Sequence, residues 1–113
     1  MGIYDWYELG VWFESKLPIS TVRTLLPKTA KLSENLTRVP SVFFVPCFQK
    51  DDSFLRGFNG LATEDEKKKL LQLWQHIKQT EGFIPQQISC LFHYSSTYGC
   101  SIANQPITNI EYE

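Results

Sequence analysis

The chain has few of the residues that most often carry chemistry: two histidines, three cysteines and one methionine in 113 residues. Cys47, Cys90 and Cys100 are odd in number and widely spaced, which argues against a disulfide framework. No CxxC pair is present to hold zinc, and His76 has no second ligand at i+3 or i+4; with two histidines and three scattered cysteines, no metal and no cofactor is expected. The N-terminal stretch MGIYDWYELG has neither a basic segment nor an apolar one, so no secretory leader is expected. No apolar run approaches the length of a membrane span. Together these features point to a reducing, cytoplasmic setting.

Charge of one sign is also missing. Eleven Lys and Arg face twelve Asp and Glu, for a net charge of −1 and a pI near 6.1. A basic nucleic-acid footprint is therefore absent, and so is a strongly acidic surface. The run Lys67–Lys69 follows an acidic block and reads as a solvated helix face. No GxxxxGK[ST] phosphate loop occurs, and GFNG is too short to replace one.

What the chain has is aromatic and apolar material. It is 42% hydrophobic and carries sixteen aromatic residues. That is enough to build a core in a single domain spanning 1–113, with some rings left over for a partner.

The pattern predicts alternating strands and two helices. In YELGVWFES, Tyr7, Leu9, Val11 and Phe13 fall on one face, with Glu8, Gly10, Trp12 and Glu14 on the other. A short helix follows, with Ser20 as its cap and Ile19, Val22, Leu25 and Leu26 on its inner side. Residues 27–39 read as an irregular surface passage. SVFFVPCFQK reads as a strand that Pro46 confines to an edge or a bulge. FLRGF reads as a short return strand after a KDDS turn. TEDEKKKLLQLWQHIKQTEG is the strongest helix. Thr63 and Glu66 form its capping box, Glu64–Lys68 and Asp65–Lys69 make i,i+4 pairs, Leu70, Leu73, Trp74 and Ile77 form its buried stripe, and Gly82 stops it. QQISCLFHYSS alternates again, CSIA returns after Gly99, and ITNIEYE reads as a last short strand. The order predicts an α+β fold: a ferredoxin-like, split βαβ sandwich with a small antiparallel or mixed sheet and two helices on one face.

The stretch LFHYSSTYGCSI places a histidine, hydroxyls and a cysteine close together. With the turn at Ser96–Gly99, Ser95 faces Cys100 and His93 faces Ile102, so His93 and Cys100 become diagonal neighbours on one hairpin face. That face is the basis for an enzymatic or ligand-binding alternative. No motif in the sequence supplies an orienting carboxylate or an oxyanion hole. His76 reads as a solvated residue on the flank of its helix. RGFNG is a partial echo of RNA-binding sheet platforms, but the rest of that motif is missing.

The leading expectation is a non-enzymatic module that binds another protein, in the manner of an inhibitor or a toxin-immunity protein covering a basic site on a nuclease or toxin. Aromatic and acidic residues suit such an interface. The expected contacts are Asp5, Trp6, Glu8, Trp12, Glu14, Asp51, Asp52 and Arg56. Self-association through the edge strand at Pro46 is a further expectation.

Overall fold

The computed structural model describes residues 4–32, 41–51, 60–96 and 99–113. The elements run β1 (Tyr4–Ser15), α1 (Ile19–Leu25), β2 (Val42–Asp51), α2 (Glu64–Gln79), β3 (Phe83–Ser96) and β4 (Gly99–Pro106). The described strands form one sheet in the order β2-β1-β3-β4, and every pairing is antiparallel. Both helices pack on one face, where Val22 of α1 and Leu70, Leu73, Trp74 and Ile77 of α2 join a common core with Leu9, Val11, Phe13, Ile88, Cys90 and Phe92. The α+β class and the one-sided placement of the helices agree with the sequence pattern.

The ferredoxin-like topology is present only in half. β2 and β3 run parallel to each other on either side of β1, with α2 as the crossover, which is one split βαβ unit. The other unit would need β1 and β2 parallel with a strand between them. Instead they pair directly and antiparallel, so β2 lies beside β1 with no strand between them. The expected FLRGF strand lies outside the described residues.

α2 has its predicted start. The Thr63 hydroxyl accepts from Glu66 N–H, and Glu66 accepts from Thr63 N–H, which satisfies two orphan donors of the first turn. Burying the four apolar side chains of its stripe contributes on the order of 10 kcal/mol as an upper bound. Glu64 pairs with Lys67 at i,i+3, not with Lys68 as the sequence suggested. α1 departs from expectation. Its N-cap is Pro18, with no side-chain cap, and Ser20 lies inside the helix. Only Val22 and Leu26 are buried on it, while Ile19 and Leu25 are exposed. It ends at Leu26, whose ψ of 156° is the extended backbone that the following Pro27 imposes.

The last strand expected at ITNIEYE does not form. Pro106 is the last paired residue of β4; Ile107 N–H donates once more to β3, to the Ile88 carbonyl at 3.3 Å, and the chain then leaves the sheet. The tail packs on side chains instead. Ile107 and Ile110 are buried, and Tyr112 lies against Trp74 with ring centroids 4.3 Å apart. Asn109 bonds both the N–H and the carbonyl of Ala62, tying the tail to the approach to α2.

Glu66 has a second task. Its carboxylate accepts from the Lys50 ammonium of β2. Burial alone would raise the Glu66 pKa, but hydrogen bonds from Lys50 and Thr63 outweigh it and hold the carboxyl below its ordinary value. The hydrogen bond to Glu66 raises Lys50. The carboxylate's contribution is therefore complete above the ordinary carboxyl range near pH 4.3 and is lost as pH falls through the lower folded value. Urea denaturation between pH 6 and pH 3 should show this acid-side loss, and Glu66→Gln should flatten it. An unchanged slope in that variant would assign the acid sensitivity elsewhere.

Candidate functional site

Among the described residues, no helix packs on the second face of the sheet. Antiparallel pairing puts partnered residues on the same side, so the register writes this face out in rows. Trp6 lies beside His93, which lies beside Ile102. Next come Gln49, Glu8, Leu91 and Asn104. Gly10 and Ser89 follow, then Phe44, Trp12 and Gln87, and finally Val42, Glu14 and Ile84.

Although no helix covers them, Phe44 and Leu91 are each only 1% exposed, and Trp12 and Ile102 pack against them. Trp12 Nε1 donates to Asn104 Oδ1 at 2.9 Å, two strands away. To reach it, the indole leans over the row in which β1 carries Gly10 and β3 carries the small Ser89. Asn104 donates in turn to Gln87 Oε1, which also accepts from the Ser89 hydroxyl. The ring is thereby held in place, partly exposed and tilted against Phe44.

At the other end of the face, His93 Nε2 lies 2.8 Å from Glu8 Oε1, and both side chains are largely buried. Trp6 stacks on the imidazole with ring centroids 3.8 Å apart and planes within 4°. A proton on Nε2 donates to the Glu8 carboxylate. The carboxylate that orients this histidine is Glu8, which the hairpin sequence alone does not contain. The signal was the placement of both residues on the polar side of their strands. The missing information was that β1 and β3 are neighbours.

The other anticipated residues sort as follows. Trp6, Glu8, Trp12 and Glu14 share this face. Glu8 is 5% exposed and engaged by His93, so it is not a free contact. Glu14 is partly exposed, with Gln86 Nε2 at 3.4 Å from Oε2. The backbones of Asp51 and Asp5 lie opposite Trp6 and Tyr94 in register, and their side chains fall outside the described set. Asp52 and Arg56 lie outside the described residues. The hairpin register is as expected, with His93 opposite Ile102 and Ser95 opposite Cys100. His76 is half-buried rather than solvated, and its Nε2 lies 2.9 Å from the Leu25 carbonyl, joining α2 to α1.

The helical side offers a groove of about 560 Å³ between the chain after α1, β2 and α2, with Pro46, Cys47, Leu73 and His76 among its walls. Burial raises the Cys47 thiol to about 11, outweighing Lys69, and raises Cys90 to about 12. Neither is an activated nucleophile. At pH 8 only about a thousandth of Cys47 would be thiolate. Both thiols should resist iodoacetamide in the folded protein and react at the ordinary rate in urea. Fast labelling of either in the folded state would contradict this assignment.

Among the described residues, no group of three or more metal-ligating side chains converges, and no helix is long and apolar enough to cross a membrane. Comparison with known protein families, characterised proteins and solved structures returns no match.

Proposed function

We propose that this protein is a binding module that uses the helix-free face of its sheet to cover a basic site on another protein, as an inhibitor or immunity-type protein does. The observation that carries the reading is the pair of partly exposed tryptophans held in place on this face, Trp6 by stacking on His93 and Trp12 by its bond to Asn104. Rigid, partly exposed indoles with polar tips are the side chains that dominate protein interfaces. The face also suits a basic partner in charge. Among its described side chains are the carboxylates of Glu8 and Glu14 and no Lys or Arg, whereas Arg23, Lys28, Lys31, Lys68 and Lys78 lie exposed elsewhere.

The test is affinity capture from extract of the native host with three baits. These are the wild type, a sheet-face variant (Trp6→Ser with Gln49→Lys) and a helix-face variant (Lys68→Glu with Gln75→Lys). The reading expects a basic protein that the first and third retain and the second loses. Loss on the helix-face variant alone, or no partner for any bait, would refute it.

A second reading makes the His93 and Cys100 hairpin face a catalytic or ligand-binding site, and the Glu8–His93 bond favours it by orienting the imidazole. It expects Cys100 to react with iodoacetamide far faster than a free thiol at pH 7. Slow labelling of Cys100 would leave the binding reading alone.

A further inference from the structure

We propose that β4 is a dimerisation edge and that it pairs, antiparallel, with β4 of a second copy of this chain. The described sheet ends in β2 on one side and in β4 on the other. An edge strand aims a row of backbone N–H and C=O groups away from the sheet, and proteins block such rows with proline, charge or a bulge. β2 has all three: Pro46 lacks an N–H, the register slips beside it, and Lys50 and Asp51 follow. β4 reads GCSIANQP, with no charged residue, no register slip and a proline only at its last position. Self-association thereby moves from the Pro46 edge to the opposite one.

The ladder to β3 decides which groups point outward. Ile107 N–H donates to the Ile88 carbonyl, so the backbone groups of Ser101, Ala103 and Gln105, in step with it, also face β3. Those of Cys100, Ile102 and Asn104 face away from it. In a twofold pairing centred on Ile102, this residue stands opposite its own copy, and Cys100 stands opposite Asn104. Each outward N–H then meets an outward carbonyl, and Pro106 falls outside the paired stretch. Centring the pair one residue later, on Ala103, would set Cys100 against Pro106 and lose a donor.

Three features select a second copy as the occupant. Without charge, β4 does not repel its own image across the axis. Because the other edge is blocked, pairing closes as a dimer instead of growing into a fibre. Ile102 is half-buried against Phe44 and Leu91 on the helix-free face, and the axis sets the two copies of it side by side, which joins that apolar cluster across the dimer. On the opposite face the exposed Ala103 falls opposite Ser101, both small residue types, so the strands can approach. The pairing does not depend on what the sheet face binds.

The test is sedimentation velocity of the reduced protein from low micromolar to near-millimolar concentration, with backbone amide exchange followed by NMR at both ends of the range. The expected result is a monomer–dimer equilibrium. Exchange at Ile102 and Asn104 slows as the dimer fills, while exchange at Ser101 and Ala103, already bonded to β3, changes far less. Ile102→Pro removes an outward donor from each copy and leaves the ladder to β3 intact, so it should weaken the dimer by about tenfold or more. Ala103→Lys alters no backbone group and sets a lysine on each side of the axis. It should weaken the dimer too, and it serves where Ile102→Pro does not fold. A dimer indifferent to both variants, or concentration-dependent protection in β2 instead of at Ile102 and Asn104, would overturn the proposal. A monomer throughout the range would also overturn it and assign the edge to a strand of another protein.

Discussion

Replacing Gly10 with alanine is expected to cost about 3 kcal/mol or more and to lower the urea midpoint by about 1.5 M or more. Gly10 lies at a bulge where β2 presents one residue too many. Leu9 pairs with Phe48 and Gly10 with Pro46, so Cys47 is the extra residue. A β-carbon at Gly10 would lie 2.2 Å from the Val45 carbonyl oxygen, 2.7 Å from Pro46 Cα and 2.8 Å from the Phe44 ring. Two of the three obstacles are backbone, which cannot rotate away, so relief requires β1 and β2 to separate. A domain of this size holds only about 5–15 kcal/mol in all, so the loss is a large share. Gln49→Ala, at an exposed position on the same strand pair, is the matched control and should be near neutral. An alanine at Gly10 that leaves the midpoint within about 0.3 M would show that the strands do not approach this closely.

The second large effect concerns His93. Changing it to alanine should cost about 2–3 kcal/mol, because it removes a donor from a buried carboxylate and the ring on which Trp6 stacks. Removing both partners differs in kind. A Glu8→Leu, His93→Leu double variant leaves no unsatisfied charge and should recover most of the loss. Chemical denaturation of the two single variants and the double variant gives the coupling directly. Trp6 provides a local readout, since its emission should change in His93→Ala while the emission of buried Trp74 does not. If His93→Ala costs under about 0.5 kcal/mol, the pair is a surface contact and the Trp6 platform is not fixed by it.

How much of this was legible beforehand depends on the range of each interaction. The capping box at Thr63 and Glu66, the stripe Leu70–Ile77 and the two faces of β1 and β3 are set by side chains a few residues apart, and all appear as the pattern implies. So does the Ser96–Gly99 hairpin register, because a short turn leaves little freedom in pairing. Departures arose in two ways. α1 starts two residues earlier than the cap preference of Ser20 implies, with Pro18 as its N-cap. In the tail, distant contacts outweighed a local preference. The ITNIEYE segment favours strand, yet Trp74, Ala62 and Gly60 hold it as a packed tail.

The candidate site follows the same division. By itself the sequence determined which residues face away from the helices, because alternation needs only one strand: Glu8, Trp12 and Glu14 on β1, and Leu91 and His93 on β3. Only the tertiary structure decided which of them meet. The strand order β2-β1-β3-β4 puts Trp6 on His93, closes Glu8 against the imidazole and leaves Glu14 open beside Ile84. Strand order is fixed by how the connections cross and by which faces the helices bury. Those are sums over the whole chain, and no short stretch of residues contains them.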